Sequence, residues 1–181
     1  MQVARLDIEG LLVLEPRVFE DDRGAFFESF NLARFRDATG RDVDFVQDNH
    51  SISHKGVLRG LHYQAAPHAQ GKLVRVVRGA AWDVAVDIRE GSRTYGKWAS
   101  VELSAENRKQ FWIPEGFAHG FLALEDGTEF LYKTTAYWHG PSERTIRWDD
   151  PTIGVKWPIV GMPALSAKDA AAGRLAGEVI T

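Results

Sequence analysis

The chain has no cysteine among its 181 residues. That absence excludes disulfides and thiolate metal sites, and it fits a reducing compartment. Basic charge is in short supply as well. Lys and Arg number 22 against 25 Asp and Glu, for a net charge of −3, and like charges nowhere gather into a block. A duplex-binding surface needs a basic excess, so nucleic acid is not an expected partner. The sequence holds no run of about 18 apolar residues, and its first residues lack a basic segment followed by an apolar stretch. Membrane insertion and export are therefore not expected, and the default compartment is the cytoplasm.

What is present is an ordinary globular balance, 44% hydrophobic and 26% charged, in a length that suits one domain over residues 1–181. Aromatic residues reach 11%, six of them Trp, while helical periods are few. Many strands with aromatic-lined surfaces follow from that combination. "LLVLEPRVF" and "GAFFESF" read as strands split by the polar turn Glu20-Asp21-Asp22-Arg23. "NLARFRDATG" predicts the first helix: Asn31 caps it, Leu32 and Phe35 share a face, and Gly40 closes it.

Strand-like segments then recur at short intervals from "FVQDNHSIS" to "TIRW". In "WDVAVDI" the alternation puts Trp82, Val84, Val86 and Ile88 on one face and Asp83, Ala85 and Asp87 on a polar one. Regular short strands of this kind predict an all-β sandwich or jelly-roll barrel with a few short helices. "LSAKDAAAGRLAG" predicts a short C-terminal helical segment.

Two motifs are decoys. "GSRTYGKW", residues 91–98, nearly matches a phosphate loop, but Trp98 replaces the hydroxyl residue that would hold magnesium and a strand follows instead of a helix. "NHS" at 49–51 is a glycosylation sequon, but where no export is expected it has little meaning.

"GLHYQAAPHAQGKLVRVVRG" and "PEGFAHGF" carry the chemistry. Pro114, Gly116 and His119 match the P-x-G-x-x-H pattern of cupin barrels, and the chain resembles a cupin with most metal ligands replaced. His62 and His119 remain, with Gln64 and Lys72 at the other ligand positions. A lysine repels a metal ion and such sites need three or four N/O donors, so no metal is expected. Without a metal, His62 is a candidate general base, since its unperturbed pKa lies near neutrality. Lys72 supplies positive charge for a developing oxyanion, and Tyr132 in "FLYKTT" offers a phenolic proton of pKa about 10. Base, electrophile and acid suit proton removal beside a carbonyl and return on the opposite face, which is epimerisation.

The blocks "FFESF", "QDNHS", "VLRGLHYQ", "GKLVRVVRG", "DVAVDIR", "PEGFAHGF", "YKTT", "IRWDDP" and "LSAKD", in this order, resemble the dTDP-4-dehydrorhamnose 3,5-epimerase family over residues 10–170. The resemblance implies a double-stranded jelly-roll (cupin) barrel and a cofactor-independent homodimer. Its substrate would be a dTDP-4-keto-6-deoxy sugar, dTDP-4-dehydro-6-deoxy-glucose. It implies that His62 accepts the proton, Tyr132 donates one, and Asp169 orients His62. Arg59 and Lys72 would lie by the carbonyl and its enolate, with His119 on the cavity wall. Arg23, Glu28, Gln47, Asp48, Asn49, Glu143 and Lys168 match nucleotide-sugar binding positions, Arg23 being suited to fork onto the diphosphate. Trp138 falls where the family sets an aromatic against thymine.

Bland readings stand beside these. Ser166-Ala167-Lys168-Asp169 is shaped like a capping box, so Asp169 has a purely structural reading, with Asp83 as the alternative partner of His62. Tyr132 has a reading as barrel wall, Trp138 as core, and Lys168 as an exposed helix-end lysine. For function, the alternatives are a relative acting at one carbon, a metal-dependent cupin oxygenase, and a non-catalytic sugar-binding module. Retention of His62, Lys72 and Tyr132 together argues against the last, since binding alone needs neither base nor acid.

Overall fold

A computed structural model of the chain describes residues 1–175. The N-terminal strands are β1 (Gln2–Arg5), β2 (Leu12–Glu15), β3 (Val18–Asp21) and β4 (Gly24–Phe27), followed by helix α1 (Leu32–Thr39). Nine strands follow: β5 (Gln47–Ser53), β6 (Leu58–Gln64), β7 (Lys72–Arg78), β8 (Ala80–Asp87), β9 (Trp98–Ser104), β10 (Gln110–Ile113), β11 (Phe117–Ala123), β12 (Thr128–Thr134) and β13 (Glu143–Thr145). A short helix α2 (Ala167–Ala170) comes last. It covers only part of the segment expected to be helical, whose end, residues 176–177, lies outside the described residues.

The strands form two main antiparallel sheets. One has six strands in the order β1-β2-β10-β7-β12-β5, the other five in the order β13-β6-β11-β8-β9, and β3-β4 is a separate hairpin. Neither sheet closes on itself, which corrects the expected jelly-roll barrel: β1 and β5 remain edges of the first, β13 and β9 of the second. The physical reason is that alternation dictates which face a strand buries, not which strands pair at the ends of a sheet.

The main core lies between the two sheets. Val13, Val74, Phe111, Ile113 and Phe130 of the six-stranded sheet meet Ala81, Ala85, Leu103, Phe117 and Phe121 of the other. Both sheets are covered on their outer faces too. Leu12, Leu14, Leu73 and Trp112 point outward beneath Phe35 of α1, whose ring meets Trp112 edge-on at 5.2 Å. On the far side, Val84, Val86 and Ile88 pack under Ile146, Ile153 and Leu175 of the C-terminal segment. Asp150 anchors that cover, accepting the N–H groups of Thr152, Ile153 and Leu175.

The opposite face of β8, which carries Ala81 and Ala85 into the inter-sheet core, is not the solvent-facing polar face expected. Asp83 and Asp87 are both fully buried. Asp87 accepts from the side chains of Arg89, Ser92 and Thr94, so residues 91–97 form a turn built around it and lead into β9. The α1 helix has its expected caps: the Asn31 side chain accepts from Arg34 N–H, and Gly40, at φ 66°, returns its N–H to Arg36.

Candidate active site

Gly60 on β6 faces Gly120 on β11, and this pair lets the two strands approach closely. A Cβ on Gly60 would lie 2.5 Å from Gly120 Cα, and one on Gly120 would lie 2.7 Å from the Arg59 carbonyl. The register shifts there, two residues of β6 standing against one of β11, which is a β-bulge. Beyond it His62 pairs directly with His119.

Side chains from both sheets converge beside this bulge around a cavity of about 500 Å³. β6 contributes Arg59, His62 and Gln64, and β11 contributes His119 and Phe121. The six-stranded sheet contributes Gln47, Asn49 and Ser51 from β5, Lys72 from β7, and Phe130 and Tyr132 from β12. Phe121 and Phe130 stack in parallel at 4.1 Å across the two sheets as an apolar floor.

His62 Nε2 is 2.5 Å from Asp169 Oδ1. Asp169 is buried in α2, where its backbone N–H is accepted by Ser166 Oγ. Both readings of Asp169 thus coexist: its main chain takes the cap while its carboxylate faces His62. Burial pushes this carboxyl up, but the hydrogen bond and charge of His62 outweigh burial and hold it below the usual range.

Asp83, the other candidate partner for His62, binds His119 instead, at 2.9 Å from Nε2. Burial lowers the His119 pKa and raises that of Asp83. Lys72 is buried as well, and its Nζ donates to the His62 carbonyl at 3.2 Å. Desolvation lowers its pKa to about 8, against the raising effect of Asp83 and Glu143. Tyr132 stands on the opposite sheet from His62, its pKa raised by burial and then by Glu143.

At the mouth, Glu143 and Lys168 pair at 2.9 Å, and Gln47 donates to Asn49. Arg59 is held by Ser53 Oγ and the Ile52 carbonyl. Trp138, 62% exposed, lies on the rim and not in the core.

Three residues expected at the site are not brought to this cavity. Asp48 points to the other face of β5 and pairs with Lys133. Arg23 sits at the tip of the β3–β4 hairpin, folded back on Asp21. Glu28 pairs with Arg34. Conversely, Ser51, Gln70, Phe121, Phe130 and Ser166 line the cavity without having been singled out. For Ser51 the signal was available, because alternation along β5 groups it with Gln47 and Asn49. Among the described residues, no group of three or more His, Cys, Asp or Glu could hold a metal ion.

A carboxylate-backed histidine, a buried cation and a phenol on the facing sheet are the equipment that acid–base isomerases use. The comparisons give the family. The dTDP-4-dehydrorhamnose 3,5-epimerase model matches residues 5–177, and the chain belongs to that family as an isomerase of dTDP-linked sugars. It is 56% identical to the dTDP-4-dehydrorhamnose 3,5-epimerase of Salmonella typhimurium, over 100% of this chain and 99% of that one. A crystal structure of a Legionella pneumophila dTDP-6-deoxy-D-glucose-3,5-epimerase in complex with dTDP-4-keto-L-rhamnose is 49% identical. It superposes with a TM-score of 0.94 and covers 97% of this chain and 93% of that one. A 3'-monoepimerase from Streptomyces bikiniensis in complex with dTDP-quinovose is more distant, at 38% identity and a TM-score of 0.89, over 94% and 86% of the two chains.

Proposed function

We propose that the protein epimerises dTDP-4-dehydro-6-deoxy-D-glucose at carbons 3 and 5, giving dTDP-4-dehydro-L-rhamnose for dTDP-L-rhamnose biosynthesis, in a single domain without metal or cofactor. The observation that carries this reading is the placement of His62, backed by Asp169, on one sheet and Tyr132 on the other. A hydrogen held at Nε2 by Asp169 leaves Nδ1 as the basic nitrogen. It takes the proton alpha to the 4-keto group, and the C–H electron pair moves into the enolate. Lys72 and Arg59 stabilise the enolate oxygen, with His119 beside them. Tyr132 returns a proton from the opposite side, inverting the carbon.

Gln47, Asn49, Glu143 and Lys168 bind the nucleotide sugar, and Trp138 lies against the thymine. Arg23, Glu28 and Asp48 enter this reading only through a second copy. The β3–β4 hairpin exposes Phe19 and Phe26, a surface suited to a homodimer in which Arg23 and Glu28 reach the partner's site. Sedimentation at micromolar concentration tests this, and a species of single-chain mass counts against it.

Relatives that act at a single carbon support a second reading, but the 3'-monoepimerase is less similar than the 3,5-epimerases. The deciding experiment is turnover in deuterated water with label read at each carbon. Deuterium and inversion at both C3 and C5, surviving EDTA dialysis, are expected; label confined to one carbon overturns the proposed reaction, and loss of turnover restored by a divalent metal overturns the metal-free claim.

A further inference from the structure

Gln64 is buried at the end of β6, two residues after His62 and so on the same face of the strand. Its amide does not bond to another strand. Nε2 donates to the carbonyls of His68, at 2.6 Å, and Tyr137, at 3.2 Å, while Oε1 accepts from the N–H of His139 at 2.7 Å. Tyr137 and His139 flank Trp138, so one side chain grips the peptide groups on both sides of that residue. The N–H of Trp138 itself donates to Gln47 Oε1 at 2.9 Å. Two glutamines, one from each sheet, therefore fix the main chain at this point.

Neighbouring contacts tie the same two loops together. Gln70 donates to the Ala136 carbonyl. The imidazoles of His68 and His139 stack at 3.9 Å, and His139 Nδ1 bonds Ser142 Oγ. The six-membered ring of the indole lies against Gly140, where a Cβ would come to 3.0 Å from it. An aromatic that is exposed yet mounted so firmly is preorganised: binding against it costs little ordering entropy.

We propose that Gln64 is a positioning residue for nucleotide binding, acting through Trp138 and not through the proton-transfer groups. The inference rests on the reading of Trp138 as the platform for the base. Breaking the grip frees the 137–139 backbone, so ground-state binding suffers while the reacting carbons still meet His62 and Tyr132.

The test is a double-variant cycle on the full chain, with dTDP as the calorimetric probe and steady-state kinetics alongside. Gln64→Met keeps the side-chain length and removes all three hydrogen bonds. It is expected to weaken dTDP about tenfold and to raise KM in step with kcat near wild type, which also shows that the variant folds. In the Trp138→Ala background the same change is expected to cost almost nothing. A second variant, Gln64→Glu, retains only the bond from His139 and is expected to lose affinity as well. Equal losses with and without Trp138, or a fall in kcat with KM unchanged, overturn the positioning role. Normal dTDP binding by wild type with unchanged affinity in both Gln64 variants overturns that role alone. Failure of wild type to bind dTDP at all overturns the nucleotide reading together with it.

Discussion

His62 Nε2 and Asp169 Oδ1 stand 2.5 Å apart although 107 positions separate the two residues in the chain. The contact depends on the last helix being docked against β6, because α2 carries Asp169 and β6 carries His62. The C-terminal segment thus does two things at once: it covers the outer face of the five-stranded sheet and delivers a carboxylate to the edge of the cavity.

Asp169→Asn separates these two tasks. Ser166 Oγ accepts from the backbone of residue 169, so the cap survives the substitution. The imidazolium formed on proton removal loses its counter-charge, and kcat is expected to fall about a hundredfold or more. Thermal unfolding should shift little. A variant with full activity would show that the Asp169 carboxylate does not support His62 in the reaction.

Lys72 makes rate and stability move in opposite directions with pH. Its folded pKa of about 8 lies below the ordinary 10.5, so between these values the unfolded chain binds the extra proton and this group's contribution to stability rises with pH. Above about pH 8 the folded enzyme meanwhile loses the cation proposed to steady the enolate. An alkaline fall in kcat near pH 8 is expected, in a range where urea midpoints gain from this group. Lys72→Met should lack that alkaline limb, with much lower kcat, and should be at least as stable as wild type at pH 7. A less stable Lys72→Met chain at that pH would count against the burial cost assigned here.

Local signals in the sequence carried as far as local physics reaches. Asn31 and Gly40 bracket α1 because capping is decided within a few residues. The alternation of β8 was legible, but the surroundings of its polar face were not: a polar residue on a strand face signals solvent only when that face has nothing packed on it. Asp83 faces the inter-sheet space with Ala81 and Ala85, and its charge is met by His119. The same limit explains the barrel. Strand existence is local, whereas closure depends on edge pairing that no single strand encodes. At the site, the expected residues of β6, β7, β11 and β12 line one cavity. Asp48 could have been set apart from Gln47 and Asn49 by period-2 alternation. Arg23 and Glu28 could not, because the direction taken by the β3–β4 hairpin is set by tertiary packing.

Gly120 offers a test of how tightly the bulge is built. Alanine there places its Cβ 2.7 Å from the Arg59 carbonyl and 3.1 Å from Gly60 Cα, both main-chain atoms that a rotamer change cannot move. The strands must separate, at a cost of about 1–3 kcal/mol. Since His62 and His119 pair just beyond this crossing, kcat should fall as well, while Gly91→Ala, with open space around it and outside the lining of the cavity, should leave the rate intact. Chemical denaturation and initial rates on the two variants check both parts. Wild-type stability in Gly120→Ala would mean that the close approach is not required.

Tyr132→Phe tests whether removal and return of the proton are separate tasks. The base, its carboxylate partner and Lys72 all remain, so the alpha proton still leaves and the enolate still forms. What is lost is the phenolic hydrogen on the six-stranded sheet, opposite His62. Burial raises the Tyr132 pKa above its usual value, so the group is protonated throughout the working range and able to donate, and removing it should spare exchange and block inversion. Solvent deuterium is expected to wash into the unreacted substrate from the His62 side, while inverted product falls about a hundredfold. His62→Ala should abolish both signals, and both variants should still bind dTDP. If Tyr132→Phe makes inverted sugar at the wild-type rate, the tyrosine is part of the cavity wall and the proton returns from another donor or from water.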